Sequence, residues 1–403
     1  MDLITIVHPN KDDYIPVIFE FKDKVNRHIL VYDKADSKYA NELKKAIRDI
    51  EKIYNLNSQI DTIQIDEDSK IDLLKTIKNL KVSNNTYLNG SGADIALFVF
   101  LSSYVLQNSG KVLAYDIADN SYNIITKNGF ENIKIKNLMN IDDYVIMHND
   151  YIESSVDILP LLKYKDRLEL LFSDVSKLYK VYRLIKFRDI LELEFNYKEL
   201  AQALIDLNII DSNYNLKVAN NFLGYLLEKY ILLNVIDFDF DDVKYNTIII
   251  FDQEQVTKGD IEVKNEFDIL VIKDNKMGFI ECKMGVNSDA VNTVYKSDSI
   301  MEYFGEYAKS IIVNLQNKNS TRFNKELQYK EGIKFRAKTK NISIYNDYNF
   351  DKKEFEKLLI KTFNVKKDNK FAKQLKKRAL QKLNNKFNTL GDYLWVVLQS
   401  LLP

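Results

Sequence analysis

The sequence predicts an α/β protein with two α/β blocks and a helical stretch between them. Strands alternate with helices over residues 1–150, the pattern is mostly helical from Asp157 to Ile236, and short β-rich segments return from Thr247 onwards. Alternation of strand and helix favours a parallel sheet with right-handed crossovers. We therefore expect a Rossmann-like N-terminal domain, a fold that binds ligands beyond the carboxyl ends of its strands.

The strands of the first block are short, rich in β-branched and aromatic residues, and bounded by polar turns. They are expected at Leu3–Val7, Ile29–Tyr32, Thr62–Ile65, Thr86–Asn89 and Lys111–Asp116. Between them, apolar residues recur at spacings of three and four over Ala40–Tyr54. That spacing predicts a helix with one apolar face.

The second block has the same kinds of element. Strands are expected at Thr247–Phe251, Phe267–Ile272, Gly278–Cys282, Ser310–Asn314 and Asn341–Tyr345, and helices at Ser297–Ala308 and Lys352–Phe363. The expected organisation is a Rossmann-like domain over 1–150, a helical connector over 151–215, a second α/β domain over 216–362 and a C-terminal extension over 363–403.

Composition excludes several classes of protein. The 403 residues include one cysteine, Cys282, and three widely separated histidines, so neither a disulfide scaffold nor zinc or histidine-triad chemistry is expected. The chain opens on a strand-like segment rather than a secretion signal. Its longest apolar stretch, Ile95–Leu106, is shorter than the roughly 20 residues of a membrane helix. These features predict a cytoplasmic protein whose chemistry uses carboxylates, lysines and metals that prefer oxygen.

A predicted β-hairpin over residues 267–283 brings two acids and a lysine together. Side chains alternate along a strand, so Glu281 and Lys283 share a face and Cys282 lies on the other. Asp268 can then lie opposite Glu281. Two carboxylates in an apolar strand pair repel unless a divalent cation neutralises them, which favours a metal site for phosphodiester hydrolysis. The alternative for the Glu-x-Lys triplet is an exposed strand edge protected by its lysine.

Glu228 is a further candidate. Between Phe222 and Leu233 the charged residues are Glu228 and Lys229, so this acid lies in an otherwise apolar helix. Charged side chains are rarely buried without a partner. Glu228 therefore belongs either to the site of the hairpin acids or to an ion pair on the helix surface.

Three runs of sequence resemble a known family. They are NNFLGYLLE at 220–228, NEFDIL at 265–270 and FIECK at 279–283. In order and spacing they resemble the PD-(D/E)-x-K nuclease half of the CRISPR-associated Rossmann fold (CARF) effectors, the ancillary nucleases of type III CRISPR systems that cyclic oligoadenylates activate. The similarity extends over most of residues 1–360 and does not include the tail.

The resemblance implies roles for individual residues. Asp268, Glu281 and the carbonyl group of Cys282 would bind Mg²⁺ or Mn²⁺, and Lys283 would be the catalytic lysine. Glu228 would be an assisting acid, with Glu266 as a neighbour of undetermined role. It also makes residues 1–150 the CARF sensor domain and 216–362 the nuclease domain.

The expected activator pocket lies at the carboxyl ends of the first and fourth strands. Asn89, Gly90, Ser91 and Gly92 end a strand and precede an apolar helix, so the backbone can approach a phosphate at the helix N-terminus. Such turns are also common without a ligand. The family carries a lysine in this loop where this chain has Ala93 or Asp94. His8, Pro9 and Asn10 are expected to form the other side of the pocket.

The formal net charge is zero, with 58 basic and 58 acidic residues, but the charges are unevenly distributed. Residues 316–390 contain 21 Lys and Arg residues against seven Asp and Glu residues. Interleaved aromatic residues, including Phe323, Tyr329, Phe335, Phe363 and Phe371, suit a phosphate backbone and unpaired bases. A solvated helix face is the alternative.

Together with these features, the resemblance implies a homodimeric nuclease that cyclic oligoadenylate, in particular the tetra-adenylate, activates. It would cleave DNA or RNA phosphodiesters with low sequence specificity, because phosphate contacts carry no sequence information. Two alternatives remain: a nucleotide-sensing regulator that binds DNA through Tyr197–Ile231, with an inactive nuclease-like core, and an unregulated restriction or repair nuclease.

Overall fold

The computed structural model describes residues 1–65, 80–218, 221–251, 264–284, 290–316, 331–369, 371–375 and 377. Residues 378–403, most of the expected C-terminal extension, lie outside these ranges, as do Phe323 and Tyr329. Within the described ranges the strands form two sheets, one of seven strands and one of six. The α/β class predicted from the sequence is confirmed.

The first sheet belongs to the N-terminal block. Its strands are β1 (Asp2–Ile6), β2 (Arg27–Asp33), β3 (Gln59–Ile65), β4 (Thr86–Asn89), β5 (Lys111–Asp116), β6 (Ser121–Thr126) and β7 (Gly129–Lys134). The order is β3-β2-β1-β4-β5-β6-β7. The first five strands in this order are parallel, as expected, and β6 and β7 add an antiparallel hairpin. The strand order reverses between β1 and β4, where Rossmann-like sheets bind ligands.

The described helices of this block are α1 (Ile15–Glu20), α2 (Ser37–Tyr54), α3 (Ile95–Gln107) and α4 (Ile141–Met147). Side-chain caps set two of their starts. Asp94 accepts hydrogen bonds from the first turn of α3. Asn140 and Asp143 form a reciprocal capping box at α4. A short 3-10 turn, Lys11–Asp13, follows β1.

The middle of the chain begins with a strand rather than a helix. β8 (Tyr151–Val156) pairs with the second sheet, although residues 151–215 were assigned to a helical connector. Its pattern is weak because it is an edge strand with four exposed residues at its end. The helices that follow are α5 (Lys165–Phe172), α6 (Val175–Phe187), α7 (Ile190–Asn196), α8 (Lys198–Asp206) and α9 (Phe222–Val235).

The second sheet lies in the C-terminal block. Its other strands are β9 (Asp242–Ile250), β10 (Lys264–Lys273), β11 (Lys276–Met284), β12 (Lys309–Leu315) and β13 (Ile342–Asp347), in the order β13-β12-β11-β10-β9-β8. β11, β12 and β13 are parallel, and the other pairs are antiparallel. The described helices of this block are α10 (Ala290–Tyr303), α11 (Glu331–Thr339) and α12 (Lys352–Phe363).

One predicted helix is displaced. We expected a helix at Ser297–Ala308, but α10 runs from Ala290 to Tyr303. The chain turns back after Tyr303, because Phe304 N donates to Met301 O at 3.0 Å and Gly305 has a φ of 85°. A residue with positive φ ends a helix, so the Gly305 backbone fixes this boundary.

The two blocks share a core. One continuous cluster of buried apolar side chains includes Leu3 and Tyr14 of the first block and Phe279 and Phe304 of the second. The C-terminal block is therefore packed directly onto the N-terminal one. None of the helices in the described ranges is long and apolar enough to cross a bilayer.

Candidate active site

The β10–β11 hairpin is closed by a tight turn at Asp274 and Asn275. Both have positive φ, 52° and 60°, as two-residue hairpin turns of the primed type require, and Asp and Asn tolerate that backbone well. Asn275 is buried, and its side-chain oxygen accepts a hydrogen bond from Met139 N at 2.9 Å. The turn is therefore anchored to the N-terminal block, which fixes the register of the hairpin.

That register brings the predicted acids together. Ile269 pairs with Ile280, so Asp268 and Glu281 are the next residues towards the open end of the hairpin. The Oδ2 atom of Asp268 accepts a hydrogen bond from the backbone N–H of Cys282 at 2.6 Å. Burial raises the pKa of Asp268 well above its ordinary value, and the negative charge of Glu281 adds to this effect.

Lys283 pairs with Glu281. Its Nζ atom lies 2.5 Å from Glu281 Oε1, and the Glu281 side chain is largely buried whereas that of Lys283 is partly exposed. Burial alone would lower the pKa of Lys283, but the carboxylate of Glu281 outweighs it and the pKa is raised. The lysine is therefore held as an ammonium beside the acids. The strand-edge alternative, with a solvated Glu281, does not fit its burial.

Glu228 faces this cluster from α9. Its Oε2 atom accepts a hydrogen bond from the Tyr245 hydroxyl of β9 at 3.5 Å. The pKa of Glu228 is raised to about 7, mainly by burial and to a smaller extent by the negative charges of Glu266 and Glu281. A carboxyl group with such a pKa can take up and release a proton near neutral pH.

Lys229, the other charged residue of this apolar helix, does not pair with Glu228. Its ammonium lies 3.8 Å from the ring centroid of Tyr225, in a cation–π contact, and the lysine is buried. The helix-surface ion pair considered for Glu228 is therefore not formed with its neighbour. Glu228 instead interacts with the charges of the hairpin.

The donor chemistry of the cluster fits a hard divalent cation. The negative charges of neighbouring carboxyl groups add to the raised pKa of Asp268 and of Glu228, and a bound Mg²⁺ or Mn²⁺ would relieve this repulsion with the oxygen ligands it prefers. In the part of the chain that the structure describes, however, no three His, Cys, Asp or Glu side chains form a finished coordination site. Metal binding by Asp268, Glu281 and the Cys282 carbonyl stays a prediction.

The two loops expected to bind an activator lie side by side. β1 and β4 are neighbouring parallel strands, and His8 Nε2 after β1 is 2.9 Å from the carbonyl oxygen of Ser91 after β4. Asn89 is buried, and its amide donates to Tyr14 O at 3.1 Å. Ser91 Oγ accepts from Tyr115 N at 2.8 Å. These contacts hold the loops together, and ligand binding by these residues stays a prediction.

Close contacts explain why glycine occupies positions 90 and 92 in the loop after β4. A side chain at Gly90 would collide with the ring of Phe98. Gly92 has a φ of 73°, and a Cβ atom there would collide with the carboxyl group of Asp13. Asp94 caps α3 through hydrogen bonds from Ala96 N and Leu97 N at 2.9 and 3.1 Å. This capping role explains the acid at residue 94.

Pro9 and Asn10 line a cavity of about 550 Å³ between the blocks. Its other side is formed by the end of α10, including Tyr303 and Gly305. The loop over Asn89–Gly92 does not line this cavity. The loop after β1 therefore faces both the C-terminal block and the loop after β4.

The buried carboxyl group of Asp12 lies between the loop after β1 and the C-terminal block. Asp12 Oδ1 lies 2.9 Å from the Tyr144 hydroxyl and 3.1 Å from His148 Nε2, both from the α4 region. The same hydroxyl lies 2.8 Å from the carbonyl oxygen of Phe304, just after α10. A side chain at Gly305 would collide with the Asp12 carboxyl group. The first loop is thus in direct contact with the C-terminal block.

Sequence reasoning missed several of these residues. Tyr245 lies in an alternating strand and has no local signal that its hydroxyl reaches Glu228. Asp12 is distant in sequence from Tyr144 and His148, and only the tertiary fold brings it to them. Gly305 carried a usable signal, because an isolated glycine after an apolar helix commonly marks its end.

The fold and the site define a class of protein. A Rossmann-like sheet with a tight loop pair at its switch point is joined to a mixed sheet whose central hairpin carries two acids and a lysine. This arrangement resembles that of CARF-domain proteins with a PD-(D/E)-x-K nuclease domain.

Comparison with known proteins agrees with this class. Residues 216–331 match the family described as the Card1-like endonuclease domain, so the resemblance drawn from the sequence is confirmed. No curated protein matches the chain.

Two solved structures share the overall fold. Can2 from Sulfobacillus thermosulfidooxidans, in complex with cyclic tetra-adenylate, is 16% identical with a TM-score of 0.63, over 90% of this chain and 96% of that chain. The protein VC1899 from Vibrio cholerae is also 16% identical, with a TM-score of 0.68, over 90% of this chain and 98% of that chain. Both alignments extend across both sheets.

Proposed function

We propose that this protein is a metal-dependent nuclease of type III CRISPR antiviral defence that a cyclic oligoadenylate activates. The observation that supports this proposal most strongly is the cluster of Asp268, Glu281, Lys283 and Glu228 at the open end of the β10–β11 hairpin. This cluster lies in the region that matches the Card1-like endonuclease domain. The substrate is DNA, RNA or both, cleaved with little sequence preference.

The residues of the cluster divide the chemistry among them. Asp268, Glu281 and the Cys282 carbonyl would hold Mg²⁺ or Mn²⁺, which when bound supplies a Lewis acid and an activated water. Lys283, kept as an ammonium by Glu281, stabilises the negative charge that develops on the phosphoryl oxygens. Glu228, with a pKa of about 7, can accept a proton near neutral pH.

The N-terminal sheet and one structural neighbour support the proposed activator. The loops after β1 and β4 meet at the switch point of the sheet, where Rossmann-like folds bind nucleotides. Can2, which shares the fold over 90% of this chain, was solved with cyclic tetra-adenylate. We therefore assign cyclic tetra-adenylate to the loops with His8, Pro9 and Asn10 on one side and Asn89, Gly90, Ser91 and Gly92 on the other.

A homodimer is part of the proposal. Helix α3 is apolar nearly all round, yet Ile95, Val99 and Phe100 are 78%, 58% and 45% exposed. Helices with apolar residues on every face are normally buried on every face. Because α3 starts directly after the Gly92 loop, packing of two α3 helices would bring the two activator loops of a dimer to one axis.

A cytoplasmic location completes the proposal. The single cysteine, Cys282, is buried and unpaired, which suits a reducing compartment. A type III CRISPR nuclease would meet its activator and its substrates there.

The test is a nuclease assay on labelled single-stranded and duplex DNA and on RNA, with Mn²⁺, with and without cyclic tetra-adenylate. Activity that requires both supports the proposal. Lys283→Ala should lower the rate by about 100-fold or more, as removal of one transition-state donor commonly does, while activator binding persists. The control is Lys276→Ala at the start of the same strand, whose ammonium donates to Ala118 O.

The same assay separates the alternatives. Equal cleavage with and without the activator would indicate an unregulated restriction or repair nuclease. Activator and DNA binding without cleavage in any condition would indicate a regulator with an inactive core. Full activity of Lys283→Ala would show that the hairpin cluster is not the active site.

A further inference from the structure

A group of lysines lies along the edge of the second sheet that β13 forms in the described part of the chain. β13 is the last strand of that sheet, and a groove of about 550 Å³ follows it between α11 and α12. No described Asp or Glu lines this groove, which we call the edge groove, whereas four lysines do: Lys309, Lys334, Lys338 and Lys361. Its remaining lining residues are apolar or neutral polar.

Three of the four lysines of the edge groove have no carboxylate partner among the described residues. Among the described residues, no carboxylate forms a salt bridge with Lys309, Lys338 or Lys361, although many other lysines of the chain are paired. Burial lowers the pKa of Lys309, with no acid to oppose it. Like charges gathered at one place repel one another unless an anion binds between them.

The groove is in register with the candidate active site. Lys283 of β11 pairs with Asn314 of β12, and Asn314 pairs with Asn346 of β13. Asn346 lines the groove and is two strands from Lys283, or about 10 Å at the spacing of neighbouring strands. One end of the groove is therefore level with the catalytic cluster.

The dimensions suit one phosphodiester strand. The six residues of β13 span about 17 Å, the length of about five nucleotides at about 3.4 Å each. The Oγ atom of Ser343 and the Oγ1 atom of Thr362, 2.8 Å apart, are polar groups in the lining. Lys309 adjoins Ser310, which pairs with Ile342, and Lys361 adjoins Thr362, which bonds Ser343, so these lysines lie near the start of β13, at the end of the groove away from Asn346.

We propose that the edge groove binds the phosphate backbone of a single nucleic-acid strand and leads it to the Glu281–Lys283 cluster. This inference rests on the proposed nuclease function for its purpose, and on the geometry of the groove for its location. Since the lysines contact phosphates rather than bases, binding along the groove is independent of sequence.

The experiment measures binding of a fluorescein-labelled single-stranded 20-mer by anisotropy over a range of salt concentrations. EDTA is present to prevent cleavage, and each titration is run with and without cyclic tetra-adenylate. The test protein is Lys338→Gln/Lys361→Gln. The control is Lys353→Gln/Lys357→Gln, which removes the same charge from α12 outside the groove, where Lys357 pairs with Glu354 at 2.7 Å.

The expected result follows from counterion release. Each lost phosphate contact reduces the slope of log K against log salt by about 0.7 for a single strand, so the groove variant should lose about 1.4 and bind roughly tenfold more weakly near 0.15 M salt. The control should bind like the parent. DNA and RNA versions of the 20-mer show which polymer the groove prefers.

Several outcomes would overturn the inference. These are unchanged affinity and slope for the groove variant, an equal loss in the control, no binding of either strand by the parent, or equal binding of a poly-glutamate peptide, which would indicate a protein-docking surface. Melting curves of both variants check that the fold is intact.

A small substrate separates this inference from the proposed function. Bis(p-nitrophenyl) phosphate is too short to reach from the groove to the cluster, so the groove variant should hydrolyse it at the parental rate. Absence of hydrolysis by the parent would contradict the proposed function and leave the binding result intact. Parental hydrolysis together with parental binding by the groove variant would contradict the groove alone.

Discussion

Glu228 is a carboxyl group whose pKa is raised far above the ordinary value by its surroundings. It lies in an apolar helix, half-buried, with the charges of Glu266 and Glu281 nearby and the Tyr245 hydroxyl as its hydrogen-bond donor. Burial and repulsion both favour the protonated form, so the pKa rises to about 7 from 4.5. The same environment that makes Glu228 useful for proton transfer makes its ionised form costly to the fold.

This cost predicts a pH dependence of stability. Because the folded-state pKa is above the unfolded one, the fold is free of the penalty below about pH 4.5 and loses stability as the pH rises towards and through about 7. Without metal, Glu228→Gln should therefore melt near the parental temperature at pH 5 and above it at pH 8. Thermal melting at the two pH values measures this.

An exposed acid supplies the control for this prediction. Glu199→Gln changes the same functional group on the surface of α8 and should show no such difference between pH 5 and pH 8. Added Mg²⁺ should stabilise the parent more than Glu228→Gln at pH 8, since the cation relieves the repulsion. A Glu228→Gln protein that loses stability at pH 8 relative to the parent would contradict the burial argument.

At the residue scale, the sequence predicted the cluster and the repulsion between its acids, but not the hydrogen bonds that Glu228 and Asp268 accept. Asp268, Glu281 and Lys283 follow from alternation along two strands, which is a local rule. The contact between Glu228 and Tyr245 depends on how α9 packs against β9, and no periodicity encodes it. The bond from Cys282 N to Asp268 was also unforeseen, because a side chain there replaces a backbone partner.

At the element scale, elements with strong local signals were predicted to the residue. The strands Thr86–Asn89 and Lys111–Asp116 and the helix Lys352–Phe363 agree in both bounds. The α12 boundaries have local causes, since Asp351 caps the start and Asn364, with a φ of 57°, follows the end. Strand β8 was not foreseen because its alternation is weak and its pairing with β9 is irregular.

The loop after β4 supports a prediction about activation. Gly92→Ala places a Cβ atom against the Asp13 carboxyl group at a position with positive φ, so both the loop and Asp13 must move. The variant should need a higher cyclic tetra-adenylate concentration for half-maximal nuclease activity, while hydrolysis of bis(p-nitrophenyl) phosphate is unchanged. Isothermal titration of the activator measures the same loss directly.

A second substitution shows whether the collision is the cause. Asp13→Ala removes the carboxyl group, so Gly92→Ala/Asp13→Ala should recover part of the lost affinity and leave the backbone cost at residue 92 together with the remaining contact to the Cβ atom of residue 13 at 2.7 Å. No difference in activator affinity between the parent and Gly92→Ala would show that this loop is not the activator site.

The exposed face of α3 predicts the oligomeric state. Val99→Glu places a charge in the centre of the Ile95, Val99 and Phe100 patch, and burial of an unpaired charge opposes association. The parent should sediment as a dimer and the variant as a monomer that cyclic tetra-adenylate no longer activates. Phe130→Glu, on the edge strand β7 where Phe130 is 75% exposed, is the control and should remain dimeric.

At the scale of the whole molecule, acidic and basic residues are unevenly distributed along the chain. A net charge of zero conceals an acidic front part and a basic segment from residue 316 to residue 390. The structure describes part of that segment, and there the lysines Lys334, Lys338 and Lys361 converge with Lys309 on the edge of the second sheet. Lys309 precedes the basic segment in sequence, so only the fold shows that it belongs to the same surface.

The contact between the blocks supports the last prediction. Gly305, directly after α10, has a φ of 85°, and a Cβ atom there would collide with the Asp12 carboxyl group. Gly305→Ala must therefore displace Asp12 from Tyr144 and His148, at an additional backbone cost of about 1–2 kcal/mol. Asp12 adjoins Asp13, which lies beside the Gly92 loop, so we expect this displacement to weaken the contact between the loops proposed to bind the activator and the C-terminal block.

Gly305→Ala should bind cyclic tetra-adenylate but respond to it weakly. Couplings between sites are typically about 1–3 kcal/mol, so the activation factor should fall by about 5- to 150-fold, while hydrolysis of bis(p-nitrophenyl) phosphate without activator is unchanged. Gly332→Ala on α11, where a Cβ atom meets nothing within 4 Å, is the control and should respond as the parent does. Because Asp12→Ala removes the group that collides, Asp12→Ala/Gly305→Ala should respond no more weakly than Asp12→Ala alone. Full activation of Gly305→Ala would mean that the signal crosses between the blocks elsewhere.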